Sequence, residues 1–136
     1  MGAWSYESFG NDDACDWAAE LVESDDFSPV EAALDRVLKV ENEYLESPEA
    51  SQAIAAVEVI ARLQGNWGLC DSYSEAIDAW VKRNKFSPSM ELVRKAHRAL
   101  DRIVSEPCEL LDLWGETEDF AAWRVGIQEL RSRVRI

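Results

Sequence analysis

A chain of 136 residues, of which 47% are hydrophobic and 30% are charged, has the size and composition of one soluble globular domain. Its net charge of −13 argues against binding to nucleic-acid phosphates, and it has no run of about 18 apolar residues that would cross a membrane. No basic stretch followed by an apolar one marks a secretory signal, and three widely spaced cysteines favour free thiols, so we expect a cytoplasmic protein.

An aromatic arm opens the chain. Trp4, Tyr6 and Phe9 all lie within the first ten residues. So many aromatic side chains would lower the solubility of a free tail unless they packed on something. We therefore expect residues 1–10 to dock on the helical body.

The first helix is predicted to begin at Asn11. Asparagine is a preferred N-cap, and Asp12 and Asp13 follow in the first turn, where their charge meets the positive end of the helix dipole. Trp17 lies on the apolar face of this helix. The structural motif that we expect at the N-terminus thus consists of Trp4, Phe9, Asn11, Asp12, Asp13 and Trp17.

These residues also carry a family resemblance. The stretch Met-Gly-Ala-Trp at 1–4, followed by Phe9, by Asn-Asp-Asp-Ala at 11–14 and by Asp-Trp at 16–17, resembles the opening of the bacterial family catalogued as domain of unknown function 4259. Ser5 and Glu7 stand where that family usually has glycines, which predicts a less bent or less closely packed arm. The stretch 109–114, with Trp123 and Leu130, is similar to the family's end. The resemblance implies no activity and no catalytic residues.

Serine-proline pairs punctuate the rest of the chain at 28–29, 47–48 and 87–88. Each pair places an N-cap residue before a proline, which suits the first helical position, and Glu31 would complete a capping box with the first pair. We expect these pairs to open the second, third and fifth helices, and Ser72 with Glu75 to form the capping box of the fourth.

The third predicted helix contains the most apolar stretch. Residues 53–61 include one polar residue, Glu58, and Arg62 follows it at the four-residue spacing of a helical ion pair. A helix that is apolar nearly all round is buried by its neighbours, so we expect the central helix here. Helical periodicity continues to the C-terminus without strand-like alternation. The sequence therefore predicts an all-α single domain over residues 1–136, a bundle of about six helices with an N-terminal aromatic arm.

Negative charge is concentrated in the first quarter of the chain. Residues 1–35 contain ten acids and no lysine or arginine, whereas the remaining 101 residues contain seventeen acids and fourteen bases. Such a surface attracts a basic protein and repels nucleic acid. A tryptophan in an irregular segment adds a candidate contact residue. We therefore expect partner binding at Asp16, Glu20, Glu23, Asp25, Asp26 and Trp67.

A catalytic or metal site finds little support in the sequence. Asp12, Asp13 and Asp16 offer the oxygen ligands that magnesium or calcium prefers, but their spacing is not that of an EF-hand loop. His97 is the only histidine, which disfavours zinc, and no Gly-x-Ser-x-Gly elbow places a nucleophile. We expect no catalytic residue, no metal and no cofactor.

The function that the sequence favours is an acidic protein-binding module of the bacterial cytoplasm, of the kind that neutralises a basic toxin, as immunity proteins do. Small size, the lack of a catalytic set and the ten unopposed acids point to it. Two alternatives stay open: a metal-dependent or small-molecule enzyme that uses Asp12, Asp13 and Asp16, and a regulatory adaptor without a toxin. Neither nucleic acid nor a membrane is an expected partner, and the sequence does not indicate an oligomeric state.

Overall fold

Seven α-helices form within residues 7–136, the part of the chain that the computed structural model describes. They are α1 (Asp12–Val22), α2 (Ser28–Val40), α3 (Ser47–Leu63), α4 (Glu75–Arg83), α5 (Met90–Ile103), α6 (Glu109–Gly115) and α7 (Phe120–Arg133). No β-strand forms in this range. The predicted all-α class is confirmed, but the predicted count of about six is too low. Pro107 before α6 and a turn after Gly115 set this short helix apart from its neighbours.

The helix α3 lies at the centre of the bundle, as predicted. It contacts each of the other six helices, and every residue from Ala53 to Arg62 is buried. Its alanines leave room for close approach by neighbouring helices. Although α3 is so apolar, no helix among residues 7–136 has the length and apolar character needed to span a bilayer.

Two helices begin with a side-chain cap. Asn11 Oδ1 accepts a hydrogen bond from Ala14 N at 2.8 Å at the start of α1, which is the predicted cap. Ser89 Oγ accepts from Leu92 N at 3.1 Å at the start of α5. The prediction that Ser87 opens α5 is therefore wrong by two residues, because the serine after the proline, and not the one before it, takes the cap.

The predicted serine caps of α2 and α3 are also wrong. Ser28 and Ser47 are themselves the first helical residues. The residues directly before them, Phe27 and Glu46, provide no side-chain cap. Acidic side chains take that role instead. Asp26 Oδ1 accepts from Ser28 N at 2.9 Å, and Glu109 Oε1 accepts from Ser47 N at 2.8 Å. The second of these acceptors lies on α6, 62 residues away.

The capping box predicted from Ser72 and Glu75 does not form, because α4 begins at Glu75. The turn before α4 is held by Asp71, whose Oδ1 accepts from Tyr73 N at 2.9 Å and from Ser74 N at 3.2 Å. This is the local pattern by which a short acidic side chain stabilises a turn.

The described part of the N-terminal segment, which begins at Glu7, reaches the core at Phe9. Phe9 is only 6% exposed, and the Arg62 guanidinium lies 5.6 Å from the centroid of its ring. Trp17 is buried on α1. Trp4 lies outside the described residues, so the docking of the arm before Glu7 stays a prediction.

One arginine near the end of α5 connects the loop after α2 with the segment that leads into α6. The Arg102 guanidinium donates at 2.6–2.9 Å to the backbone carbonyls of Glu41, Glu43, Ser105 and Pro107. An isolated bridge pairs the same two segments through Leu45 N to Pro107 O, at 3.2 Å, and Glu109 N to Leu45 O, at 2.8 Å. The position of α6 against the bundle therefore depends on Arg102.

We predict that Arg102→Met lowers the free energy of unfolding by about 1–3 kcal/mol, because four backbone carbonyls lose a charged donor. Urea denaturation would measure this loss. Arg98→Met, an exposed change on the same helix, is the control and is expected to cost under about 0.5 kcal/mol. Equal losses in the two variants would show that the contacts of Arg102 contribute nothing beyond those of an ordinary surface arginine.

Candidate functional site

The outer side of α1 presents an acidic surface. Asp12, Asp16, Glu20 and Glu23 are all exposed. No lysine or arginine of the described chain forms an ion pair with these carboxylates. Asp13 is different because it is half-buried; burial and then its neighbours Asp16 and Asp12 raise its pKa. The exposed acids are thus free to meet a partner.

The two acids in the loop after α1 have different roles. Asp25 is exposed and extends the acidic surface. Asp26 is also exposed, but the hydrogen bond from the backbone of Ser28 lowers its pKa and fixes it at the start of α2. Asp26 therefore contributes to folding as well as to charge, and a substitution there would disturb both.

Acids farther along α2 are partly neutralised within the molecule. Lys95 Nζ lies 3.0 Å from a carboxylate oxygen of Glu31 and 3.0 Å from one of Asp35. Hydrogen bonds to these two acids raise the pKa of Lys95. The unopposed acidic surface, which we call the α1 surface, is consequently smaller than the sequence suggested and consists of Asp12, Asp16, Glu20, Glu23 and Asp25.

Trp67, the remaining predicted contact residue, has basic neighbours. It is 38% exposed, and the Arg62 guanidinium and the Lys82 ammonium lie 5.6 and 5.7 Å from the centroid of its ring. No α1 residue lines the groove around it. The groove around Trp67 therefore contains none of the five acids that were predicted with it as partner-binding residues.

A buried ion network lies beneath that tryptophan. Glu58 pairs with Arg62, as predicted from their spacing, and Arg62 Nε lies 2.8 Å from Asp78 Oδ1 on α4. Arg133, near the end of α7, donates Nη2 to Glu58 Oε1 at 2.6 Å and Nε to Glu129 Oε2 at 2.5 Å. Burial alone would lower the pKa of Arg133, but these two carboxylates outweigh it and raise the pKa.

The Glu58 carboxylate is saturated with hydrogen bonds. Its Oε1 accepts from Ser8 Oγ and from Arg133 Nη2, and its Oε2 accepts from Arg62 Nη1 and from Arg133 Nη1. All four lone-pair positions of this carboxylate therefore have donors. A cavity of about 320 Å³ opens beside it between α3, α6 and α7. These contacts link Ser8 and the end of α7 to α3.

The loop after α3 fits closely over this link. A Cβ on Gly68 would lie 2.7 Å from Arg133 Nη1, so only glycine leaves the guanidinium in place. Asn66 Nδ2 donates to Arg133 O at 2.7 Å. His97 Nε2 lies 2.6 Å from Val134 O, which gives the single histidine a structural contact at the C-terminus.

Asp78 and Arg133 were not predicted as members of the network. The signal was the presence of Glu58 and Arg62 in the buried stretch of α3, since buried charges require partners. The pattern shows that further partners must exist, but their identity depends on how α4 and α7 pack on α3.

Metal-ligating side chains do not converge in the described part of the chain, and two of its three cysteines are disfavoured as thiolates. Within residues 7–136 no group of three or more histidine, cysteine, aspartate or glutamate side chains converges to hold a metal ion. Burial raises the pKa of both the Cys15 and the Cys108 thiols, which disfavours the reactive thiolate. Cys70 is exposed, and none of the three is in a disulfide.

Comparison with known proteins identifies one relationship. Residues 2–125 match the family model described as domain of unknown function (DUF4259). Comparisons with the curated proteins and with the solved structures give no significant match.

We predict that removing Glu58 destabilises the protein far more than removing Glu129 does. Glu58→Ala removes the carboxylate shared by the buried Arg62 and the half-buried Arg133, so we expect a loss of about 3–5 kcal/mol in the free energy of unfolding. Glu129→Ala removes the exposed partner of the same arginine and is expected to cost about 1 kcal/mol or less. Urea denaturation of both variants provides the measurement, and equal costs would contradict the structural role of Glu58.

Proposed function

Because the chain belongs to the family described as domain of unknown function (DUF4259), which assigns no activity, we propose its function from its surface: an acidic module that binds a basic protein. The observation that carries this proposal is the α1 surface, where exposed carboxylates follow one another along a helix and none of them forms an ion pair with a described lysine or arginine. Charge of one sign on a rigid element accelerates encounter with a partner of the opposite charge.

The specific form that we propose is an immunity protein of the bacterial cytoplasm, which neutralises a basic toxin by covering it. A rigid helix suits this task, since α1 packs through Ala14, Trp17 and Leu21 and need not reorganise on binding.

We predict that Asp16→Lys combined with Glu20→Lys slows association with the native partner by about tenfold at low salt, because favourable steering becomes repulsion. Affinity capture from the native host with wild-type protein supplies the partner, and association kinetics at two salt concentrations supply the rates. The effect is expected to shrink as salt rises. Both residues are exposed, so each change is expected to alter stability by under about 0.5 kcal/mol.

The matched control is Glu116→Lys combined with Glu118→Lys, which changes the net charge equally on exposed residues outside α1. We expect it to change the association rate by less than about twofold. An acidic partner, or equal effects from the two double variants, would contradict binding at the α1 surface. A basic partner without toxic activity would support the binding module and overturn its assignment as an immunity protein.

A further inference from the structure

A groove of about 390 Å³ lies around Trp67, in the region where α3 ends and α4 ends. Its lining comes from residues 62–87 and includes Arg62, Leu63, Trp67, Lys82, Lys85 and Phe86. No lining residue belongs to the α1 surface, so the groove and that surface share no residue. Its volume is within the range of small-molecule sites.

The charge of this groove is opposite to that of the whole protein. No carboxylate lines it, and the chain from Ala79 to Met90 contains Lys82, Arg83 and Lys85 but no acid. Arg62 contributes little net charge because Glu58 and Asp78 neutralise it. The two lysines form no ion pair with any carboxylate of the described chain. Their ammonium groups therefore remain available in a protein of net charge −13.

Two aromatic rings give the groove apolar walls. Trp67 is more than one-third exposed, although it carries a large apolar surface. Phe86 is held in place because its ring centroid lies 4.4 Å from that of Phe27 and 6.2 Å from that of Trp80. Aromatic surface beside a cation is the combination that recognises an anion with an apolar body.

We infer that this groove binds a small organic anion, whose phosphate or carboxylate head meets Lys82 and Lys85 and whose apolar body lies against Trp67 and Phe86. The ammonium of Lys82, which lies over the Trp67 ring, has a flexible stem and moves to the head group when the ligand covers the ring. The site does not depend on the proposed partner of α1, since the two share no residue.

Calorimetric titration of the whole protein with phenyl phosphate tests the inference, with inorganic phosphate as the probe of the head alone. We expect saturable binding of phenyl phosphate at least about tenfold tighter than that of inorganic phosphate, because the ring adds apolar contact. Lys82→Gln combined with Lys85→Gln is expected to weaken phenyl phosphate by at least about tenfold.

The control is Lys39→Gln combined with Arg94→Gln, which removes two exposed positive charges outside the groove and is expected to change affinity by less than about twofold. Trp67→Ala separates the two parts of the site, since it should weaken phenyl phosphate while leaving inorganic phosphate unchanged. The inference is overturned if phenyl phosphate does not saturate, if both phosphates bind equally, or if the control loses as much affinity. It is also overturned if a poly-glutamate peptide displaces phenyl phosphate at lower concentration, which would assign the groove to an acidic protein.

Discussion

The pairing of one buried carboxylate with a buried and a half-buried guanidinium group is the constraint on which this fold depends. Glu58 lies between Arg62 and Arg133, and Arg62 continues the network to Asp78. Removing charges from water costs several kcal/mol per ion, so the arrangement is stable only while every partner stays in place. Through these contacts α3 holds α4, the end of α7 and, by way of Ser8, the N-terminal segment.

The network also determines where the net charge of the protein lies. Two acids and two arginines balance one another in its centre, so the net charge of −13 resides on the surface. There, Lys95 neutralises part of α2, while the α1 surface keeps its carboxylates unopposed and the groove around Trp67 keeps its lysines. The exposed acids of α1 and the two lysines of the groove take no part in the network, so each set can be altered without breaking it. The proposed partner would thus meet the carboxylates of the α1 surface, whereas the inferred ligand would meet the lysines of the groove around Trp67.

Much of the fold could be predicted from sequence, because it rests on local patterns. The asparagine cap of α1, the apolar α3 and the Glu58–Arg62 pair follow from spacings of three or four residues. The start of α3 could not, since Ser47 N finds its acceptor on Glu109 of α6, 62 residues away. The candidate site likewise has a part that the sequence predicts and a part that depends on packing. Exposed acids on α1 were predictable from periodicity, whereas the basic surroundings of Trp67 arise only when α4 packs beside the end of α3.

Native-state hydrogen exchange in rising urea tests most directly whether Glu58 joins these elements into one unit. We expect the amides of α3, α4 and the last turn of α7 to open together, with the free energy of global unfolding. In particular, the amide of Val134, which donates to Leu130 O at 3.3 Å, should exchange with the same free energy as those at the centre of α3. Exchange of the last turn of α7 through a separate opening of much lower free energy, while α3 stays protected, would show that Glu58 does not join these elements into one unit.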